Sequence, residues 1–204
     1  IRTDKIEILA ELTRLRQLCC DPALLYDNYK GGSAKTELVR GLIRNAVENG
    51  HKVLLFSQFT TMLERLYRIL EEEKIASHML TGATPKEKRI EMVESFAHDE
   101  VPVFCISLKA GGTGLNLTGA DIVIHYDPWW NVAVENQATD RAHRIGQKNV
   151  VTVYKLIAKG TIEEKIIKLQ QMKKELAEEI LSGDEIKTAS FQREELLELL
   201  EERF

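Results

Sequence analysis

Residues 53–81, VLLFSQFTTMLERLYRILEEEKIASHMLT, contain the pattern from which the fold can be predicted. Val53–Ser57 is a short apolar run of the kind that forms a buried strand. Residues 60–74 follow with leucines three or four positions apart, which is typical of one face of a helix. Ser77–Thr81 is again the size of a strand. A strand, a helix and a second strand at this spacing predict a βαβ unit and therefore a parallel sheet.

The alternation of strands and helices continues along the chain. Further strands are predicted at Val103–Ser107, Ile122–Tyr126 and Val150–Ile157, and further helices at 34–49, 85–96 and Val132–Arg144. Thr84 and Glu87 are expected to form a capping box around Pro85 at the start of one helix. Ligands of parallel α/β sheets bind at the carboxyl ends of the strands. The loops that follow the strands therefore form the expected functional edge.

Both flanks of this α/β segment are predicted to be helical. An amphipathic helix spans Asp4–Leu18, and a capping box at residues 161–164 begins a long helix that reaches about Leu181. A last helix is predicted at Phe191–Glu202. The chain is thus divided into a helical segment and linker at 1–33, an α/β lobe at 34–160 and C-terminal helices at 161–204.

Composition narrows the classes of protein to which the chain can belong. Its 204 residues are 44% hydrophobic, with a formal net charge of −4. From Thr161 onward there are 12 acidic and 7 basic residues, so the acidity lies in the C-terminal helices. No apolar run approaches the ~20 residues needed to span a bilayer. The three cysteines form no CxxC pair and the five histidines have no ligand spacing, so no metal site and a reduced intracellular setting are expected. Because Ile1 is the first residue, we expect an excised fragment.

A glycine-rich segment follows the third strand. It reads SLKAGGTGLNL at residues 107–117. Glycines let backbone amides approach a phosphate closely, and a helix N-terminus favours negative charge. A tight turn between a strand and a helix explains the same residues equally well. The segment is not a Walker loop, because GxxxxGK[ST] occurs nowhere in the chain.

Two arginines share one face of the predicted helix that contains QATDRAHRIGQ, residues 137–147. Gln137, Arg141 and Arg144 are spaced i, i+4 and i+7. Guanidinium groups on one ridge suit a transferring phosphoryl group, as arginine fingers do. The alternative is a solvated face on which Asp140 pairs with Arg144.

Polar and aromatic residues follow three other strands. Both tryptophans of the chain lie together in YDPWWN, residues 126–131. One of them is expected in the core, while the other could stack on a nucleic acid. Residues 57–60 and 80–82 offer hydroxyls, amides and backbone N–H groups that could hold backbone phosphates, or simply cap a helix and make a turn.

Taken in order, these segments resemble the C-terminal RecA-like lobe of the SWI/SNF-type (SWI2/SNF2-like) ATPases of helicase superfamily two. The matching segments are LRQLCCDPALL (15–25), Ser33-Ala34-Lys35, VLLFSQF (53–59), LTG (80–82), SLKAGGTGLNL (107–117), HYDPWWN (125–131), QATDRAHRIGQ (137–147) and TIEEKI (161–166). The last helix resembles the ending of bacterial members. Val132 departs from the pattern, since the family usually has proline there.

The resemblance implies half of a motor in which ATP, as Mg-ATP, binds between two lobes. An absent N-terminal RecA-like lobe would supply the Walker lysine and hold most of the magnesium. In this lobe, Arg141 and Arg144 would act as arginine fingers, with Gly114 and Gln137 near the nucleotide. The residues implied to face the backbone of double-stranded DNA are Ser57, Gln58, Thr81, Gly82, Lys109, Gly112, Thr113 and Trp130. The fold implied is a parallel sheet flanked by helices on both faces.

Two other functions remain open from the sequence. The same fold serves as a lobe of RNA helicases, and the acidic C-terminal helices could belong to a non-catalytic scaffold that binds a protein. Under the motor hypothesis, the fragment alone is expected to be inactive. The full protein is expected in the cytoplasm, on the nucleoid if bacterial, and with no membrane partner.

Overall fold

The computed structural model describes residues 2–107, 110, 117–140, 142 and 150–180. Three predicted features lie wholly or mostly outside these ranges. They are the last helix, the glycine-rich segment and RAHRIGQ, residues 141–147.

Five parallel strands form the sheet, as predicted. They are β1 (Val53–Ser57), β2 (Ser77–Leu80), β3 (Val103–Ser107), β4 (Ile122–His125) and β5 (Thr152–Lys155). Their spatial order is β2-β3-β1-β4-β5, so that β1 lies at the centre. Two predicted strands run one residue too far at their ends, and β5 is four residues shorter than predicted.

Six α-helices and one 3-10 turn are described around the sheet. They are α1 (Arg2–Cys20), the 3-10 turn (Pro22–Leu24), α2 (Ala34–Glu48), α3 (Thr60–Glu72), α4 (Lys86–Phe96), α5 (Val132–Thr139) and α6 (Ile162–Ile180). No helix among the described residues combines the length and the apolar character needed to cross a membrane.

Two hydrophobic cores lie on opposite faces of the sheet. In β1, Val53 and Leu55 pack with α2 and α3, whereas Leu54 and Phe56 pack with α4 and α5. All five residues of β1 are buried, which is why the strand is a continuous apolar run rather than an alternating one. The predicted fold class, a parallel sheet with helices on both faces, is confirmed.

The two flanking helices pack on each other outside the sheet. Leu12 of α1 and Ile162 and Ile166 of α6 form a third, smaller cluster. Asp21 caps the 3-10 turn by accepting from the backbone N–H of Ala23 at 2.9 Å. The same carboxylate accepts from Arg65 Nε of α3 at 2.7 Å, which fastens the end of α1 to the α/β lobe.

Two predicted helix boundaries are wrong. Helix α4 begins at Lys86 with Pro85 as its N-cap, and no side chain caps it. Thr84 does not cap the helix, because its Oγ1 instead accepts from the backbone N–H of Thr81 at 3.0 Å. Helix α5 ends at Thr139, not at residue 144. Thr139 Oγ1 donates to the carbonyl of Glu135 at 3.3 Å, a bond of the kind that bends helices.

Candidate functional site

The carboxyl ends of the strands meet in register at one edge of the sheet. Ser57 of β1 pairs with Ser107 of β3, Phe56 of β1 with His125 of β4, and Leu80 of β2 with Ile106 of β3. Because the order is β2-β3-β1-β4, the loop after β4 is a neighbour of the loop after β1, and the end of β3 lies between these loops and the turn after β2. This shared edge brings together segments that lie far apart in the sequence.

Asp127 organises the loop after β4, residues 126–131. Its side chain is fully buried and accepts from Ser57 Oγ through one oxygen and from Gln58 Nε2 through the other. Burial raises the pKa of Asp127, while the hydrogen bond from Ser57 and the charge of Arg16 lower it. The carboxyl group thus holds the end of β1 against the loop after β4.

A buried ion pair joins the same loop to α2 and α6. Lys35 Nζ lies 2.6 Å from Glu163 Oε1 and also donates to the carbonyl of Tyr126 at 2.9 Å. Glu163 accepts from the backbone N–H of Ala158 at 2.7 Å. Burial raises the pKa of Glu163, and Lys35 opposes that rise. Each charge therefore has a counter-charge and a further hydrogen bond, as buried pairs require.

Glu135 of α5 is a third buried acid at this edge. It pairs with Lys155 Nζ at the end of β5 and accepts from the backbone N–H of Trp129 at 3.2 Å. Next to it, His125 stacks on Phe56 with ring centroids 5.5 Å apart. Burial lowers the pKa of His125 to about 4, so this imidazole is neutral at physiological pH.

The turn after β2 is held mainly by residues close in sequence. Thr81 Oγ1 accepts from the backbone N–H of Ala83 at 3.3 Å. Arg89 of α4 donates to the carbonyls of Gly82 at 2.9 Å and Thr84 at 2.7 Å. Arg89 also donates to the carbonyl of Thr81 at 3.3 Å and to that of Ala110 at 3.4 Å, and the latter bond joins this turn to the segment after β3.

The two tryptophans lie in different environments, and both are partly buried. Trp129 packs against the cluster on the α4 and α5 face of the sheet. Trp130 packs beside Leu12 and Ile166 in the cluster between α1 and α6, with the guanidinium carbon of Arg16 4.9 Å from its ring centroid. The expected role of Trp130 at DNA stays a prediction.

The structure places five of the residues that the resemblance singled out, besides Trp130. Gln58 is half-buried, Gly82 and Gln137 are exposed, and Thr81 and Ser57 are buried. The Ser57 hydroxyl faces Asp127 rather than solvent. The others lie outside the described residues: Lys109, Gly112, Thr113, Gly114, Arg141 and Arg144. Because α5 ends at Thr139, its helical register alone does not place the two arginines on one ridge.

Sequence reasoning gave no role to the buried polar residues that hold this edge together. They are Arg16, Lys35, Asp127, Glu135 and Glu163. Each lay within or close to a quoted segment, but a charged residue in a helix or loop is usually exposed. Their partners are between 5 and 128 positions away, so no single spacing rule could have revealed them. Among the described residues, no cluster of three or more potential metal ligands is found.

Comparison with known proteins agrees with this architecture. Residues 34–146 match the helicase conserved C-terminal domain family. An uncharacterized ATP-dependent helicase of Mycoplasma pneumoniae is 44% identical over 95% of the chain, which spans only 19% of that protein. The chain thus has about a fifth of the length of this relative.

Two solved structures from Sulfolobus solfataricus are similar in fold and sequence. The C-terminal domain of its SWI2/SNF2 ATPase is 34% identical, with a TM-score of 0.74 over 97% of this chain and 82% of that chain. The core of that ATPase in complex with double-stranded DNA is 37% identical, with a TM-score of 0.73 over 87% of this chain and 38% of that chain. The chain belongs to the helicase conserved C-terminal domain family and, within it, to the RecA-like C-terminal domains of SWI2/SNF2 type.

Proposed function

We propose that this chain is half of a DNA-dependent ATPase that translocates along double-stranded DNA. In this proposal ATP binds between the chain and an N-terminal RecA-like lobe of the same polypeptide. Arg141 and Arg144 reach the γ-phosphate only when the two lobes close. Hydrolysis is thereby coupled to the relative position of the lobes.

The observation that carries the proposal is the register of the strand ends. Ser57, Leu80, Ser107 and His125 end their strands within one residue of each other along the sheet. The loops that follow β1, β2, β3 and β4 therefore start at one edge, where α/β sheets bind ligands. The DNA-bound SWI2/SNF2 core from Sulfolobus solfataricus, at 37% identity, supports duplex DNA as the polymer.

The polar groups at this edge suit contacts to the DNA phosphate backbone that do not depend on the base sequence. The backbone N–H of Gly82 can donate to a phosphate oxygen, and the side-chain amide of Gln58 can do so once it releases Asp127 or the carbonyl of Pro128, to which it donates here. Ser57 contributes indirectly, because its hydroxyl donates to one oxygen of Asp127 while the other oxygen accepts from the side chain of Gln58. Lys109, Gly112 and Thr113 complete this proposed surface. Sequence-independent contacts of this kind are what a translocase needs, since it must release and regrip at every step.

On the nucleotide side the chain fits only part of a site. Gln137 is exposed on α5, beside the buried Ala138 that packs on the sheet. With Gly114 and the two arginines it can meet a triphosphate, but the sequence contains no GK[ST] loop to hold the β-phosphate. The Walker lysine and most ligands of Mg²⁺ therefore belong to the N-terminal lobe in this proposal.

The test uses the full-length protein with Arg144→Ala. We expect ATP turnover to fall at least ~10³-fold, the magnitude typical of an arginine finger, while ATP still binds. Arg14→Ala on the exposed face of α1 is the matched control, because within the described part of the chain Arg14 pairs only with Glu11, at the surface. The 204-residue chain alone should show no turnover above background. Robust turnover by the chain alone, or by Arg144→Ala, would overturn the assignment.

The polymer is tested separately in the same protein. Turnover is measured with duplex DNA, single-stranded DNA and RNA at matched nucleotide concentration. Duplex DNA should give the largest stimulation. Stronger stimulation by RNA would identify an RNA-dependent motor, and no stimulation by any polymer would favour a scaffold role.

A further inference from the structure

The backbone of the loop after β4 is held by side chains from other parts of the fold. Its one backbone bond to the sheet runs from the N–H of Tyr126 to the carbonyl of Phe56 at 2.9 Å. Beyond it, three loop carbonyls accept from side chains: Tyr126 from Lys35 of α2, Pro128 from Arg16 of α1 and from Gln58, and Trp129 from Gln170 of α6. The position of this loop therefore depends on elements outside the sheet.

Arg16 is the most completely enclosed of these donors. Only 2% of the residue is exposed. One terminal nitrogen donates to the carbonyl of Pro128 at 2.6 Å and lies 3.9 Å from Asp127 Oδ2. The guanidinium also lies over Trp130 and over Phe59, with ring centroids at 4.9 and 5.5 Å. A single side chain thus contacts the carboxyl, carbonyl and indole groups that define the loop.

Stability alone is a poor explanation for this arginine. Burial lowers the pKa of Arg16, and among the described residues its Nε has no hydrogen-bond partner. Replacing both partners of a buried ion pair by apolar residues is often neutral for stability, so the pairing of Arg16 with Asp127 does not by itself explain why an arginine stands here. What an apolar residue cannot do is donate to Pro128 while stacking on Trp130. The planar guanidinium does both at once, and a lysine ammonium would do so less well.

We propose that Arg16 is a positioning residue. It couples the position of the DNA-facing loop to the position of helix α1. Arg16 fixes the ring of Trp130 and the backbone at residues 127–128, so a shift of α1 relative to the sheet moves the loop with it. The inference rests on the proposed function, together with the expectation from the family resemblance that Trp130 of this loop faces the DNA backbone.

The packing of α1 makes such a shift effective. Apart from the bonds at its carboxyl end, the helix lies against α6 rather than on the sheet, through Leu12, Ile162 and Ile166. Helix α6 itself reaches the loop through Gln170. The two flanking helices therefore hold the loop together from one side, while Asp127 holds it to β1 from the other.

The first experiment measures the position of the loop in the 204-residue chain. Both tryptophans of the chain lie in this loop, so emission excited selectively at tryptophan, away from the five tyrosines, reports on the loop. Arg16→Lys keeps the charge, Arg16→Met removes it, and Arg14→Met makes the same change on the exposed face of α1. We expect a red shift and stronger acrylamide quenching in both Arg16 variants, with no change in Arg14→Met.

Circular dichroism establishes which variants are folded. If Arg16→Met fails to fold, Arg16→Lys decides the outcome. Emission and quenching equal to wild type in folded Arg16→Lys and Arg16→Met, or in the lysine variant when only that one folds, would overturn the positioning role.

The second experiment measures DNA engagement by the full-length protein. In Arg16→Lys the DNA concentration for half-maximal ATPase stimulation should rise about tenfold, a loss of ~1.4 kcal/mol, with the maximal rate falling less than about threefold. A lower maximal rate with unchanged half-saturation would overturn the link to DNA. If wild type itself is not stimulated by DNA, the proposed function fails, and the fluorescence result still decides whether Arg16 positions the loop.

Discussion

The turn after β2 and the loop after β4 lie at the same edge of the sheet but are held in different ways. In the turn, residues 81–84, the hydrogen bonds come from within the turn and from Arg89, at most eight positions away along the chain. In the loop, residues 126–131, the side chains that donate to the carbonyls of Tyr126, Pro128 and Trp129 and to Asp127 lie 41 to 112 positions away. One segment keeps its shape by itself, and the other is assembled by the tertiary structure.

This difference assigns different behaviour to two segments that we propose grip the same polymer. The turn should move as a rigid part of the sheet whatever the flanking helices do. The loop should respond to α1, α2 and α6, because Arg16, Lys35 and Gln170 come from those helices. Removing a distant partner should therefore disturb the loop and leave the turn intact, and the reverse should hold for Arg89.

The largest effect is expected from Lys35→Met. It leaves the buried carboxylate of Glu163 without its counter-charge and removes a donor from Tyr126. We expect the free energy of unfolding to fall by about 3–5 kcal/mol, measured by urea denaturation of the chain. The exchange of amide hydrogens in the turn, residues 81–84, should stay close to that of wild type under native conditions.

A double-mutant cycle sharpens this first prediction. Glu163→Gln keeps an acceptor for the backbone N–H of Ala158, so the double variant with Lys35→Met should lose less than the two single losses added together. Additive losses would show that the pair contributes no coupling. Arg14→Met, which breaks only the exposed pair with Glu11, serves as the control and should change stability by less than about 0.5 kcal/mol.

An intermediate effect is expected from lowering the pH, because His125, the last residue of β4, becomes protonated. Burial lowers the pKa of this imidazole from 6.5 to about 4. Between these values the unfolded chain binds a proton that the folded chain does not bind. The free energy of unfolding should therefore decrease as the pH falls through this window, by about 2–3 kcal/mol in total.

The comparison of wild type with His125→Gln isolates that contribution. Glutamine can still donate to Thr139 but does not titrate. Asp127 and Glu163, whose pKa values are raised by burial, act in the opposite direction and cancel in the difference. An identical pH dependence of stability in both proteins would rule out the histidine as the source.

The smallest effect is expected from Arg89→Met in the turn. This half-buried arginine donates to carbonyls at Thr81, Gly82 and Thr84, and water can replace part of what is lost. We expect a loss of about 1–2 kcal/mol, with faster amide exchange confined to residues 81–84. Tryptophan emission from the loop should not change. A shift in that emission would show that the two segments are coupled after all.

Much of the fold could be predicted because its causes are local. The apolar runs of β1 and β3 have the predicted bounds, since strands buried on both faces need continuous apolar residues. Boundaries failed where a side chain had a better partner than the expected one. Thr84 accepts from Thr81 instead of capping α4, and Thr139 bonds back to Glu135 at the end of α5.

The predicted site residues came from motif resemblance, and the structure adds to them the side chains that hold them in place. Ser57 and Gln58 were expected to face DNA, and both are found bonded to Asp127, to which no role was assigned. Motif spacing identifies residues that meet a ligand common to a family. It does not reveal a carboxyl group whose partners are brought to it only by folding.

By itself the sequence determined the parallel sheet, the family and the edge at which function is expected, because alternating strand and helix patterns and motif order are properties of a linear chain. Only the tertiary structure decided that Arg16, Lys35 and Asp127 are buried together and that three helices fix one loop. The physical reason is that a charge can be buried only where partners from distant segments converge on it, and that convergence is a property of the packed fold.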